Sequence, residues 1–165
     1  FRVYIYDYIS NRGTLRDHGA RFREYLETIP EPFLLVSHSM GGLLIRLALE
    51  QPLANARHAL MIAPPNRGSR YASNLCRRFP PIRYWLQTLP ELRREEEGRT
   101  LTLPEHLSVP VGVFVARFDH KVDPGLTRFP GATEYEEFPA GHCGIMLNSE
   151  ARQRMLRYLD TGKFS

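Results

Sequence analysis

The stretch Phe33-Leu34-Leu35-Val36-Ser37-His38-Ser39-Met40-Gly41-Gly42-Leu43-Leu44-Ile45-Arg46 constrains the fold of this chain more than any other. An apolar run of strand type passes, through a turn of small residues, into apolar positions Met40, Leu43, Leu44, Leu47 and Ala48, the spacing of a helix buried on one face. Ser39 sits at the apex. A strand-to-helix turn this sharp strains the serine backbone, and it needs small residues two before and two after; these are Ser37 and Gly41. Gly42 then lets the helix start close to the neighbouring backbone. The helix start also offers free N–H groups and a positive dipole end, which places the Met40 N–H as a donor to a developing oxyanion. Ser39 is thus a candidate nucleophile, the alternative being a turn serine that caps a buried helix.

The rest of the chain alternates in the same way. Phe1-Arg2-Val3-Tyr4-Ile5-Tyr6 has the β-branched and aromatic composition of a strand, and Ser10 to Gly13 form a turn. Thr14 with Asp17 reads as a capping box. Leu15, Phe22, Tyr25, Leu26 and Ile29 keep helical spacing until Pro30 and Pro32. Ala59 to Ala63 and Val109 to Ala116 are apolar runs of buried-strand type, Thr133 to Phe138 is a last strand, and a closing helix carries Ala151, Met155, Leu156 and Leu159 on one face and stops at Gly162. Strand, helix, strand, helix implies a mostly parallel sheet covered on both faces. Residues 70–107 break the pattern, with Tyr71, Phe79, Tyr84 and Trp85 set among arginines and prolines. They read as an insertion that leaves the sheet at the serine's edge as a helical cap, or equally as helices packing their aromatics into the core. The charged run Arg93 to Arg99 reads as a solvated face.

Ser37-His38-Ser39-Met40-Gly41-Gly42 resembles the nucleophile elbow of α/β-hydrolases, with serine at the usual first glycine. Ala63-Pro64-Pro65-Asn66-Arg67-Gly68-Ser69 resembles a segment that follows the next strand in bacterial lipase-like members, and the likeness extends over essentially the whole chain. The resemblance implies an α/β-hydrolase fold, here a single domain spanning 1–165 with the cap insertion at about 70–107, and an ester-hydrolysing activity.

A serine hydroxyl is a weak nucleophile until a base takes its proton, and the base works best when a carboxylate fixes its tautomer. In α/β-hydrolases these partners follow in the order serine, acid, histidine. Ser39, Asp119 and His142 occur in that order, each just beyond an expected strand. His142 lies in an irregular glycine-flanked loop, whereas His38 adjoins the nucleophile and is expected to point away from it. Asp119 follows its strand directly, with Val122 available to anchor the turn; Asp123 is the alternative acid. The mechanism implied is acyl transfer to water through an acyl-enzyme, with Met40 N–H in the oxyanion hole and no metal or organic cofactor. The rival reading is a non-catalytic protein of this fold that binds a hydrophobic ligand or partner.

Composition narrows the partners. A net charge of +4 from 22 basic and 18 acidic residues, scattered along the chain, argues against nucleic acid; a small-molecule ester or lipid-like substrate is what the resemblance implies. No run approaches the roughly 18 apolar residues of a membrane span. The expectation is a soluble protein, the cytoplasm slightly favoured, with Cys76 and Cys143 as free thiols and no oligomeric state specified. The family's second oxyanion donor comes from a loop after an earlier strand, and no matching segment precedes Phe1. The chain therefore reads as the later two-thirds of a hydrolase, either missing upstream residues or trimmed.

Overall fold

The structure is a computed structural model and describes residues 2–94, 96 and 101–164. Its sheet is parallel throughout, in the order β1 (Phe33–His38), β2 (Ala56–Ile62), β3 (Val111–Ala116) and β4 (Glu134–Phe138). Helix α1 (Leu15–Glu27) and helix α2 (Gly41–Ala48) precede and follow β1, α3 (Arg70–Arg78) follows β2, and α4 (Ser149–Thr161) closes the chain.

The two-residue period of the strands sorts the core onto two faces. Ala59, Met61, Val111, Val113 and Val115 pack with Leu26 of α1, Ile29 just after it and Ile45 of α2. Leu60, Ile62, Phe114 and Ala116 pack with Ala151 and Tyr158 from α4 and with Phe164. β3 and the second half of β2 read as continuous apolar runs because both of their faces are covered. The register aligns His38 with Ile62, Ile62 with Phe114 and Ala116 with Phe138, so β1, β3 and β4 deliver the residues that follow them to one edge of the sheet.

The Thr14 and Asp17 capping box is present: the Asp17 N–H donates to Thr14 Oγ1 at 3.1 Å and the Thr14 N–H to Asp17 Oδ2 at 3.1 Å. Other expectations need correction. Phe1 lies outside the described residues, and residues 2–6 are not a strand. β-Propensity describes side chains that suit a half-buried pleat, and a strand also needs a neighbour for its backbone. Here the segment lies on α1 instead, with the Tyr6 ring against Phe22 at 4.8 Å and Tyr25 at 5.2 Å. Val3 and Ile5 are exposed, and β1 forms the edge of the sheet.

The buried stripe of α4 is Ala151, Met155 and Tyr158, while Leu156 is exposed. Within 70–107, leucines rather than aromatics enter the interior: Leu89, Leu101 and Leu103 are buried, whereas Tyr71, Phe79, Tyr84 and Trp85 are exposed. Of the charged run Arg93 to Arg99, Glu95, Glu97, Gly98 and Arg99 lie outside the described residues, and Arg93 and Arg94 are half-buried. Cys76 and Cys143 are free thiols, and no helix among the described residues is long and apolar enough to cross a membrane.

Candidate active site

Ser39 follows β1 with φ 54°, the left-handed region that an L-residue enters at a cost of about 1–3 kcal/mol. Its N–H donates to the Ile62 carbonyl at 2.8 Å, which holds the strained residue to the end of β2. The small neighbours are required by space. A Cβ on Gly41 would lie 3.1 Å from the Ser37 Cβ, and one on Gly42 only 2.7 Å from the Pro64 Cβ. The first bonds of the turn into α2 run from the Gly42 and Leu43 N–H groups to the carbonyls of Ser39 and Met40. The Met40 and Gly41 N–H groups precede that ladder, so they are free of intrahelical acceptors.

Asp119 follows β3 and has a side chain only 2% exposed. Its Oδ1 accepts the N–H of Lys121 at 2.8 Å and of Val122 at 2.9 Å, and its Oδ2 lies 2.6 Å from His142 Nδ1. Val122 is buried beneath the turn. Burial pushes the Asp119 carboxyl upward, but hydrogen bonds from His142, Val122 and Lys121 together outweigh it, and the group lies below the ordinary carboxylate value. Asp123 has other partners: Oδ1 accepts from the Gly125 N–H at 3.0 Å and Oδ2 pairs with Arg70 at 3.1 Å.

His142, in the loop after β4, completes the line, with Nε2 at 3.0 Å from Ser39 Oγ. An Nδ1–H donated to Asp119 leaves Nε2 as the acceptor for the Ser39 hydroxyl. The structure therefore brings together Ser39, His142 and Asp119, residues far apart in the chain, and leaves Asp123 out.

One residue of the site escaped the sequence reading. His38 does turn away from Ser39, as alternation along a strand requires, but its ring lands on the histidine loop. Its Nε2 is 2.8 Å from the His142 carbonyl oxygen and its ring centroid 4.7 Å from that of His142. Burial lowers its pKa below the ordinary histidine value despite the bond to that carbonyl, and because a carbonyl only accepts, the hydrogen of that bond sits on Nε2. The available signal was the strand period, which puts His38 on the α4 face where the loop after β4 returns. Beside it runs an apolar cleft of about 350 Å³, lined by Val36, Ile62, Phe114, Ile145 and Met155 among others; Ser39 does not line it.

The segment Ala63 to Ser69 braces both sides of the site. Pro64 meets Gly42, as above. Asn66, fully buried, donates Nδ2–H to the Thr127 carbonyl at 2.7 Å. Ser69 accepts the Ala72 N–H to cap α3 and donates its hydroxyl to the Lys121 carbonyl at 2.5 Å, inside the Asp119 turn. Among the described residues, no group of three or more His, Cys, Asp or Glu side chains is placed to hold a metal ion.

Comparison with known proteins follows this geometry. Residues 1–159 match the family model described as "Alpha/beta hydrolase family". Among solved structures, the chain is similar to the mature lipase of Bacillus licheniformis, with TM-score 0.67 and 16% identity over 89% of this chain and 74% of that one. It is similar also to a monoacylglycerol lipase of Paleococcus ferrophilus, with TM-score 0.59 and 16% identity over 92% and 77%. A third is a type II thioesterase of the borrelidin biosynthetic cluster, with TM-score 0.59 and 18% identity over 90% and 71%. At these identities the likeness is one of fold. No curated protein matches the sequence.

Proposed function

The chain belongs to the alpha/beta hydrolase family, and from that premise we propose that it is a serine hydrolase that cleaves carboxylic esters through Ser39, His142 and Asp119. The observation that carries this reading is the unbroken line from Ser39 Oγ to His142 Nε2 at 3.0 Å and from His142 Nδ1 to Asp119 Oδ2 at 2.6 Å. The positive φ of Ser39 supports it, because a capping serine has no need of strain.

In the proposed reaction Ser39 Oγ attacks the acyl carbon while His142 Nε2 takes the hydroxyl proton. Asp119 accepts Nδ1–H throughout and stabilises the imidazolium, remaining ionised itself. The Met40 N–H, at the positive end of α2, donates to the tetrahedral oxyanion. His142 then returns the proton to the departing alcohol, which leaves an acyl-Ser39. A water molecule, deprotonated by the same nitrogen, attacks the acyl carbon, and the proton passes back to Ser39 as the acid departs.

Residues 70–107, which leave the sheet at the edge where Ser39 lies, are proposed to act as a cap over the site. A lipophilic acyl ester is the proposed substrate class, following the two lipases among the similar structures. The thioesterase in the same set differs in its leaving group, so the substrate test compares oxygen esters with thioesters of one acyl chain. The reading itself is tested with a fluorophosphonate probe and a p-nitrophenyl ester. We expect covalent label on Ser39 and turnover lost in Ser39→Ala. An unlabelled Ser39 in folded protein would instead leave a non-catalytic binding protein of this fold.

A further inference from the structure

We propose that residues 77–85 form a docking surface for an anionic lipid bilayer. This goes beyond the ester-hydrolase reading and does not depend on the chemistry of Ser39.

Large apolar side chains are exposed here as a group. Phe79 is 46%, Tyr84 69% and Trp85 62% exposed, and the Phe79 and Trp85 rings stack at 6.0 Å with planes 11° apart. Stacking joins rings six positions apart into one patch. The turn at Pro80–Tyr84, with proline at its start, keeps the chain between them short and stiff. A contiguous apolar patch of this kind marks an interaction site, whereas single exposed apolar residues do not.

Charge identifies the partner. Arg77, Arg78 and Arg83 are exposed around the rings, and among the described residues no carboxylate lies within ion-pair distance of any of the three. From Gln51 through Pro90 the sequence has six arginines and no aspartate or glutamate. Arginines around Trp, Tyr and Phe suit a headgroup boundary, where the rings enter the apolar layer and the guanidinium groups stay among phosphates. A single-stranded nucleic acid would need open ring faces for its bases. Here Phe79 and Trp85 cover a face of each other, and the Arg83 guanidinium lies 5.2 Å over the Tyr84 ring.

The patch is tied to the site. Helix α3, which leads into it, is capped by Ser69, whose hydroxyl bonds the Lys121 carbonyl at 2.5 Å in the turn that holds Asp119.

Trp85 is the sole tryptophan of the chain, so its emission reads the patch without a label. Phosphatidylcholine vesicles with and without phosphatidylglycerol are titrated into the protein, with co-sedimentation in parallel. Anionic vesicles should shift the emission to the blue and sediment the protein, and high salt should reverse both. Neutral vesicles should do neither. Replacing Arg77, Arg78 and Arg83 by Gln should weaken partitioning by about 10²-fold, with unchanged far-ultraviolet dichroism because all three side chains are at the surface. Ser39→Ala should bind as the wild type does, which separates a failure here from a failure of the hydrolase reading. The proposal is overturned if emission is unchanged, if neutral vesicles act equally, or if the triple variant binds undiminished. Three further results would also overturn it: loss of binding in Ser39→Ala, an equal shift with polyuridylic acid, or a shift with protein concentration alone, the last of which would make a second copy the occupant.

Discussion

Strands β1 and β3 carry two ends of one hydrogen-bonded line, yet they are held very differently. All six residues of β3 are buried and it has a neighbour on each side. The turn beyond it fixes Asp119 with two backbone N–H groups and the Ser69 hydroxyl on Lys121. β1 is an edge strand, with one residue of six fully buried and Val36 46% exposed. Ser39 therefore depends on one backbone bond to β2 and on close contacts at Gly41 and Gly42. Asp119 is placed by the sheet and Ser39 by the elbow, so under the proposed mechanism changes at the elbow should reach activity more directly than changes of like size in the centre of the sheet.

Removing the line itself should have the largest effect. Ser39→Ala and His142→Ala are each expected to lower ester turnover by about 10⁴-fold or more, and the double variant little further, because such residues act as a unit. Losses that multiply would mean separate roles. At the acid end, Asp119→Asn should lower kcat by roughly 10³- to 10⁴-fold with the fold intact, since an amide cannot hold the same histidine tautomer. Asp123→Asn, which keeps an oxygen acceptor for the Gly125 N–H and loses only a surface ion pair, should stay within about threefold. Steady-state rates of the two variants settle which carboxylate serves.

His38→Phe keeps a ring against His142 but removes the donor to its carbonyl. We expect kcat lower by about fivefold, from one lost hydrogen bond of about 1 kcal/mol, with KM little changed; restored rate in His38→Gln would identify the bond as the cause, and equal loss in both variants would point to ring packing instead.

Two glycines compare the strands directly. A Cβ at Gly42 would press on Pro64 at 2.7 Å, and one at Gly112 in β3 on Phe164 at 2.6 Å and Tyr158 at 2.8 Å. Both alanine variants should lose about 1–3 kcal/mol in urea unfolding. Only Gly42→Ala should also lower the rate of the protein that remains folded. Equal rates in the two would refute the contrast drawn here.

The smallest effect concerns pH. The Asp119 carboxyl lies below its ordinary value in the folded protein, so it stabilises the fold above the carboxylate value of the unfolded chain, about 4. That contribution disappears as pH falls through the folded value. Urea midpoints between neutral and acid pH should therefore fall less steeply for Asp119→Asn than for the wild type; parallel curves would show that the carboxylate is not held in its charged form.

Much of this molecule is written in short-range patterns. The apolar runs around Leu60 and Val113, the capping box at Thr14 and Asp17, and the elbow with Ser37 and Gly41 on either side of Ser39 all follow from propensity, period and residue size, which act over a few residues. The order of Ser39, Asp119 and His142 beyond three strands could likewise be read without coordinates, because parallel strands deliver the residues after them to one edge. Tertiary structure decided whatever needed a distant neighbour. Residues 2–6 have the side chains of a strand but, among the described residues, no strand to pair with, and Tyr6 lies against Phe22 and Tyr25 instead. Tyr158 rather than Leu156 is buried because α4 presents it to Phe164, and it is Leu101 and Leu103, not the exposed aromatics near Trp85, that pack with Leu43 and Leu44. Asp119 is favoured over Asp123 by its place directly after a strand, but only the return of the chain after β4 puts His142 against it. Contacts between residues a hundred positions apart depend on where every intervening element packs, and no local pattern carries that information.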